Sequence, residues 1–271
     1  MQHQEFEPSE ILRDTIKCYW YNRWDADELQ QDFEVQPDGY AEIIFYFGSV
    51  LSVKHNSVLE RLPSPFMMGL LNEPLTFHAE NKLEIIGIRC FPWTVFDLLG
   101  LPAGKDGLRI FEHPIASLQS ALNDLVNAKK INEVLYLLQD FLIAINPEAN
   151  NNMLLKAGKA MRETGGIIPV SEVAAAAHAT VRTLERNFKR SSGYSVKDVS
   201  GLMRFEQVRN HLWHHPGANL VALAHEFGYA DQPHLSKEFK KYSGTTPASF
   251  ARKAKTNRPV LNSDIVAFVQ A

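Results

Sequence analysis

The sequence predicts an α+β protein in which an antiparallel β-sheet or barrel-like domain with packed helices precedes an all-α domain. Three observations lead to this prediction. Runs rich in aromatic and β-branched residues, separated by turn-forming residues, fill most of residues 15–90, as is typical of antiparallel strands. After Pro92 the apolar residues recur every three or four positions, which indicates amphipathic helices. The net charge also changes sign near residue 152, which indicates two domains of different character.

The length and composition suit two globular domains. The chain has 271 residues, more than one ordinary domain, and its 45% of hydrophobic residues is enough for two cores. No apolar segment approaches the roughly 18 residues of a membrane-spanning helix, and no basic stretch followed by an apolar run opens the chain. We therefore expect a cytoplasmic protein that makes no membrane contact.

Five segments of the first domain have the composition of strands. They are residues 16–20, 41–47, 66–71, 75–79 and 84–89. Pro37, Asp38 and Gly39 predict a turn ahead of the second strand, because proline fixes φ, an aspartate side chain bonds to nearby backbone and glycine accepts a positive φ.

Three apolar stripes at helical spacing follow the predicted sheet. They lie within residues 93–99, 118–125 and 131–145. We expect these helices to pack on the sheet or on a partner subunit. The stripe of residues 131–145 is unusually wide, so a dimer interface and packing inside the domain both stay open for it.

A segment without apolar periodicity separates the two domains. Residues 146–152 are rich in turn-forming residues and predict the interdomain linker. We therefore place the first domain at residues 1–150, the second at 151–258 and a tail without an assigned role at 259–271.

The two domains carry opposite charge. Residues 1–152 contain 11 lysines and arginines against 22 aspartates and glutamates, a net charge of −11. Residues 153–258 contain 17 against 8, a net charge of +9. A basic segment attracts polyanions such as nucleic acids, although charge alone carries no information about sequence recognition.

One short pattern occurs twice in the basic domain at the same internal spacing. Each copy follows an alanine-rich helix and a turn, which is the organisation of a helix-turn-helix unit. Apolar residues at helical spacing from Val199 to Leu212 predict one continuous helix that links the two copies. The repeated residues are Leu184, Phe188 and Gly193 in the first unit and Leu235, Phe239 and Gly244 in the second.

The last helix of each unit separates packing residues from charged residues. At about 100° per residue, Leu184 and Phe188 share one face of the first of these helices, and its charged residues fall on the opposite face. In the second, Leu235, Phe239 and Tyr242 face inward and leave a cationic outer face. This pattern suits a helix that packs on its own domain and presents positive charge to a ligand.

The segment from about residue 168 to residue 250 resembles the AraC/XylS-type transcription regulators. Its most diagnostic part is residues 228–241 (Gly-Tyr-Ala-Asp-Gln-Pro-His-Leu-Ser-Lys-Glu-Phe-Lys-Lys), followed by Gly-Thr-Thr-Pro at 244–247. Residues 180–188 of the first unit also fit, but His178 stands where a glycine is usual. Histidine is among the residues that tolerate a positive φ, so we expect the turn to form there as well.

The resemblance implies a sequence-specific DNA-binding transcription regulator with a sensor or oligomerisation domain at its N-terminus. Two recognition helices would enter successive major grooves on one face of the DNA. Such grooves recur about every 34 Å, a distance that a linking helix of some twenty residues at about 1.5 Å each can bridge.

Side-chain chemistry divides the outward residues of the two recognition helices into two sets. Arginine suits guanine, glutamine suits adenine and glutamate accepts from cytosine, whereas residues on phosphates fix the register without specifying sequence. We expect base contacts from Arg182, Glu185, Arg186, Gln232, His234, Ser236 and Lys237. We expect phosphate contacts from Thr180, Lys189, Arg190, Lys240 and Lys241.

An effector pocket in the first domain is a further expectation. Aromatic walls and one cationic anchor are the composition of many small-molecule sites, and Trp20, Phe45, Phe47, Arg89 and Trp93 supply both. Packing in the core is the alternative for these residues. Double-stranded DNA is the partner that we expect, and a small-molecule effector, RNA polymerase and a second copy of the chain stay open as further partners.

The sequence lacks the residue sets of a metal, cofactor or catalytic site. His211, His214 and His215 lie close together without a neighbouring Cys, Asp or Glu to complete a metal site, and no nucleotide-binding or nucleophile motif occurs. We therefore expect no cofactor, no metal and no enzyme activity. Two alternatives remain: a ligand-sensing or partner-binding adaptor that does not read DNA sequence, and an enzyme with an appended DNA-binding domain that uses Cys18 or Cys90.

Overall fold

The computed structural model describes residues 2–25, 32–55, 58–71, 73–101, 107–145 and 152–256. The predicted tail at 259–271 lies outside the described residues. So does the predicted linker, apart from Asn152, which begins a helix.

Ten strands occur within the described residues, and they form two antiparallel sheets. The strands are β1 (Gln2–Phe6), β2 (Ile16–Trp24), β3 (Asp32–Val35), β4 (Ala41–Gly48), β5 (Ser52–His55), β6 (Val58–Arg61), β7 (Phe66–Met68), β8 (Leu75–His78), β9 (Leu83–Cys90) and β10 (Leu108–Arg109). The larger sheet has the order β1-β2-β9-β4-β7-β10, and the smaller has the order β3-β8-β5-β6. All five predicted strands are present, and the first of them extends to Trp24.

Ten α-helices occur within the same residues. The first domain contains α1 (Val95–Leu98), α2 (Gln119–Asn127) and α3 (Ile131–Ile145). The second contains α4 (Asn152–Glu163), α5 (Val170–Ala176), α6 (Val181–Ser192), α7 (Val196–His214), α8 (Leu220–Glu226), α9 (Gln232–Ser243) and α10 (Pro247–Thr256). Short 3₁₀ helices span Glu10–Leu12 and Pro114–Leu118.

The central strands β2, β4 and β9 of the larger sheet are buried on both faces, and their alternating side chains enter two different cores. On β4, Phe45 and Phe47 belong to the core that contains residues of α2 and α3, whereas Ile44 belongs to the core shared with the smaller sheet. The apolar stripe of α3 lies in the first of these cores, where Val134 and Leu138 are fully buried. Packing inside the domain is therefore the correct interpretation for these side chains.

The turn at Pro37, Asp38 and Gly39 differs in one respect from its prediction. The Asp38 carboxylate accepts a hydrogen bond from the backbone N–H of Tyr40 at 3.0 Å, as predicted. Gly39, however, does not adopt a positive φ. Gly39 instead lies against α7, since a Cβ added to it would be 3.6 Å from the Met203 side chain and 3.6 Å from the Glu206 carboxylate.

A third core joins the two domains. Trp93, just after β9, is fully buried and stacks on Phe91 with ring centroids 5.2 Å apart. On its other side it contacts Phe188 of α6, with a centroid distance of 5.7 Å. Gly158 of α4 lies so near this indole that a Cβ at position 158 would be 2.3 Å from Trp93. The first domain therefore packs directly on α4 and α6.

The helix α7 is the long element of the second domain. Its 19 residues correspond to about 28 Å at 1.5 Å per residue. A capping box begins it, because Ser195 accepts from the backbone N–H of Asp198 and the Asp198 carboxylate accepts from that of Ser195. The predicted continuous helix between the repeated units is thus confirmed.

Among the described residues, no helix combines the length and the apolar character that crossing a membrane requires.

The close approach of β2 and β9 gives a test of the first domain. A Cβ on Gly87 would lie 1.9 Å from the Trp20 side chain, so we predict that Gly87→Ala lowers the free energy of unfolding by about 1–3 kcal/mol through overpacking. Gly217→Ala is the matched control, because nothing lies within 4 Å of its added Cβ. Equal urea midpoints for the two variants, followed by tryptophan fluorescence, would contradict the prediction.

Candidate nucleic-acid interface

Two helix pairs of the same construction form the candidate interface. In the first unit α5 precedes α6, and in the second α8 precedes α9. The small residues Ala174 and Ala224 are at most 2% exposed, and they allow the paired helices to approach closely. Phe205 of α7 contacts Phe239 of α9 edge-on at 5.0 Å, so the second unit is packed on the linking helix.

The two turns have the same backbone geometry although their sequences differ. His178 has a φ of 51° and Gly228 has a φ of 70°. In each turn the next N–H donates to a carbonyl five residues back, from Ala179 to Ala174 at 2.9 Å and from Tyr229 to Ala224 at 2.8 Å. The prediction that histidine takes the glycine position is confirmed.

Caps fix where both recognition helices begin and end. Thr180 accepts from the N–H of Thr183 at 3.2 Å, and Asp231 accepts from the N–H of His234 at 2.7 Å. Both helices stop at a left-handed glycine, Gly193 or Gly244. Each of these cap side chains binds one N–H group of its first turn, so further N–H groups at the start of each helix are available to phosphates.

The outer faces of α6 and α9 are exposed as the helical wheel predicts. The residues predicted to face inward are at most 2% exposed, and they are Leu184, Phe188, Leu235, Phe239 and Tyr242. The predicted contact residues that are exposed are Thr180, Arg182, Arg186, Lys189, Arg190, Gln232, His234, Lys237, Lys240 and Lys241, and Ser236 and Glu185 are half-buried. Their contacts with DNA stay predictions.

Two of the predicted base-contacting residues already have partners within the protein. The Glu185 carboxylate accepts from the backbone N–H of Val196 at 3.3 Å, which ties α6 to the first turn of α7. His234 Nδ1 accepts from the N–H of Ala230 at 3.4 Å, and its Nε2 lies 3.8 Å from the Glu238 carboxylate. Both residues therefore have structural roles in the DNA-free protein.

The five residues of the predicted effector pocket do not line one cavity. Trp20 and Arg89 meet at Glu42, whereas Phe45 and Phe47 lie on the opposite face of the sheet. Trp93 belongs to the core between the domains. Strand alternation is the reason, because Trp20 of β2 and Phe45 of β4 project to different faces. A pocket made by all five together is therefore wrong.

A buried charge cluster was not predicted, and it lies where the domains meet. Arg89 donates to the fully buried Glu42 carboxylate at 2.7 Å and lies 3.5 Å from the Asp38 carboxylate. From the second domain, the buried Arg209 of α7 donates to the carbonyl of Pro37 at 3.0 Å. Burial raises the pKa of the Glu206 carboxyl on the same helix, and the nearby Asp38 acts in the same direction.

Two signals in the sequence could have located this cluster. Glu42 is the one charge in the apolar run of β4, and Arg209 interrupts the apolar stripe of α7. A charged residue on a buried face needs a partner, because its desolvation is otherwise unfavourable by several kcal/mol. The identity of the partner depends on the tertiary fold.

Both cysteines are held in the thiol form. Burial raises the pKa of Cys18 to about 12 and raises the pKa of Cys90 above its usual range. A nucleophilic cysteine needs the opposite shift, so the enzyme alternative that used them has no support. Among the described residues, no three His, Cys, Asp or Glu side chains are placed to hold a metal ion.

Comparison with known families assigns the second domain. Residues 173–253 match the family described as a helix-turn-helix domain, and this range begins within α5 and contains α6, α8 and α9 with both turns. This match assigns a helix-turn-helix domain to the C-terminal part of the chain. Residues 4–105 match a family described as a domain of unknown function (DUF6597).

Several known proteins are similar to parts of the chain. The Msm operon regulatory protein of Streptococcus mutans serotype c is 20% identical over 143 residues, which are 51% of each chain. The chain thus spans about half the length of this curated relative. ToxT from Vibrio cholerae O395 is 10% identical with a TM-score of 0.48, and the match covers 88% of this chain and 97% of ToxT. The DNA-binding domain of AdpA, solved with a target DNA, is 20% identical with a TM-score of 0.37. This match covers 41% of this chain and 98% of the AdpA domain.

The backbone of His178 in the helix-turn-helix domain gives a second prediction. A left-handed φ is unfavourable for a residue with a Cβ, so we expect His178→Gly to raise the free energy of unfolding by about 0.5–1 kcal/mol. His178→Val should lower it, because a β-branched side chain suits that conformation least.

Gly228→Ala is the matched change in the second turn. Its φ is 70° and its added Cβ would lie 2.7 Å from Ile167, so this variant should lose stability. Thermal denaturation of the four proteins measures the series, and a His178→Gly variant less stable than the wild type would contradict it.

Proposed function

We propose that the protein is a DNA-binding transcription regulator in which one chain inserts α6 and α9 into successive major grooves. The observation that carries the proposal is the mounting of two capped helices with exposed cationic outer faces on one buried linking helix. At about 28 Å, α7 has the length that supports two helices on one face of a duplex whose grooves recur about every 34 Å.

The proposed roles of the side chains follow from their exposure and chemistry. Arg182 and Arg186 would bind bases in one groove, with Gln232, Ser236 and Lys237 in the other. Lys189, Arg190, Lys240 and Lys241 would bind phosphates at the ends of the same helices. Thr180, His234 and Glu185 would act partly through the structural contacts that they already make.

The acidic N-terminal domain would regulate this activity. Its Trp93 packs on Phe188 of α6, and its Pro37 carbonyl accepts a hydrogen bond from Arg209 of α7. A change within this domain would therefore act directly on the DNA-binding elements. A small-molecule effector, a second copy of the chain and RNA polymerase are the partners through which such a domain would act. A regulator of transcription works beside the chromosome, which supports a cytoplasmic location.

The proposed function is tested by selecting oligonucleotides from a random pool. We expect a two-part motif with its halves separated by about one turn of the duplex. Affinity should fall steeply with salt, with a slope of about −0.9 in log K against log salt for each phosphate contact. Weak binding without any selected motif would favour the adaptor alternative.

Substitutions on the outer faces separate base contacts from phosphate contacts. Arg186→Ala and Lys237→Ala should each weaken binding by about 1–3 kcal/mol and relax base preference in different halves of the motif, whereas Lys240→Ala should weaken all sequences about equally. Lys159→Ala on α4 is the control, since this exposed lysine lies outside both units. Unchanged motifs for both Arg186→Ala and Lys237→Ala would refute the assigned outer faces.

The domain contact at Arg209 gives a fourth prediction. Arg209→Met removes the donor to the Pro37 carbonyl and leaves Glu206 and Asp38 without a nearby cation from α7. We expect a loss of about 1.5–3 kcal/mol in the free energy of unfolding, the range for a hydrogen bond to a charged group. Amide hydrogen exchange should rise in residues 36–40 and in α7. Arg13→Met, which removes an exposed arginine, should change neither measurement.

A further inference from the structure

Arg204 joins the linking helix to the second helix-turn-helix unit and to the loop that leads into the first. It lies on α7, and its side chain is only 13% exposed. One terminal nitrogen, Nη1, donates to the carbonyl of Gly166 at 2.9 Å. The other, Nη2, donates to the Glu238 carboxylate at 3.2 Å, and the guanidinium lies over the Tyr229 ring at 5.3 Å. One side chain thus contacts three separate segments.

The Gly166 contact holds the loop between α4 and α5, which leads into the first unit. Gly166 precedes α5 and has a φ of 74°, and a Cβ there would lie 2.6 Å from the Ser200 carbonyl. The loop therefore rests directly on α7. Gln207, one turn further along the helix, donates to the carbonyl of Gly165 at 2.7 Å and holds the same loop.

The Glu238 contact belongs to the second unit. Glu238 lies in the middle of the recognition helix α9, and its side chain is 18% exposed. The two helices cross closely at Gly201 of α7, where an added Cβ would be 3.2 Å from the Tyr242 hydroxyl and 3.4 Å from the Glu238 carboxylate. Tyr229, the ring beneath the guanidinium, lies in the turn of the same unit.

A guanidinium suits this position because its donors lie in one plane at fixed angles. Two acceptors that it binds at once are held in a fixed relation, whereas a lysine ammonium is a point charge on a flexible stem. Here one acceptor lies on the loop that leads into the first unit, and the other lies on the recognition helix of the second unit. Their relative orientation is therefore coupled to one planar group that has little exposure to water.

We propose that Arg204 is a positioning residue that fixes the angle and separation of α6 and α9, and thereby the spacing between DNA half-sites that the protein accepts. The first part is independent of DNA. The second part rests on the proposed function.

The first test measures the distance between the recognition helices in the DNA-free protein. Spin labels at Lys189→Cys and Lys240→Cys report on α6 and α9, and both positions are exposed, whereas Cys18 and Cys90 are buried. Pulsed electron paramagnetic resonance should give a narrow distance distribution for the otherwise wild-type chain and a clearly broader one for Arg204→Met. Arg204→Lys should fall between them, and the control Lys159→Met should match the wild type. An unchanged distribution for Arg204→Met overturns the proposal.

A double variant guards against a simple folding failure. Arg204→Met together with Glu238→Met removes both charges and leaves no buried carboxylate without its cation, so we expect it to melt at a higher temperature than Arg204→Met alone. It should keep the broad distribution of the single variant. A narrow distribution in this folded protein also overturns the proposal.

The second test varies the spacing between the halves of the selected DNA motif. Adding one base pair should reduce the affinity of the wild type by about tenfold or more, because two rigidly held helices then no longer meet both grooves in register. For Arg204→Met the same insertion should reduce affinity by less than about threefold. An equal penalty in both proteins overturns the spacing claim. A wild type that selects no motif refutes the proposed function instead, and the distance measurement still decides the role of Arg204.

Discussion

The burial of α7 is the constraint on which the rest of the structure depends. The fully buried apolar residues along it are Val196, Val199, Leu202, Phe205, Val208 and Leu212. Its neighbours are α6, α9 and α10 within its own domain and the turn at Pro37 from the other. A helix packed on several sides cannot shift without opening voids, because protein interiors are close-packed. Both recognition helices and the N-terminal domain are therefore positioned by their contacts with the same helix.

The buried polar residues of α7 fix the orientation in which this helix packs. Apolar contacts tolerate small rotations, whereas a buried guanidinium needs its acceptors at defined positions. Arg204 is directed towards Gly166 and Glu238, and Arg209 is directed towards Pro37. Desolvation offsets much of the attraction in such pairs, so their main contribution is to select one arrangement rather than to add stability. The two arginines thus orient the linking helix on its two sides.

Sequence periodicity predicted the helical domain better than the sheet domain, for physical reasons. The helices of the helix-turn-helix domain have caps, turns and apolar faces that are local in sequence, and the positive φ of His178 was predicted as well. Edge strands such as β6, with all four residues exposed, have no alternating pattern to detect. The predicted pocket failed because Trp20 and Phe45 lie on opposite faces of one sheet. The bond from Arg209 to Pro37 joins residues 172 positions apart, which no local pattern indicates.

The two helix-turn-helix units are held in different ways, and this asymmetry has a consequence for regulation. The first unit contacts the N-terminal domain directly, through Phe188 on Trp93 and through the Tyr194 hydroxyl, which donates to the carbonyl of Leu70 at 2.8 Å. The second unit is fastened to α7 by Phe239 and Glu238. In the proposed regulator we therefore expect a change in the N-terminal domain to act on α6 through direct contacts and on α9 through the linking helix. A coupling of that kind alters the relation between the two helices and not only the position of each.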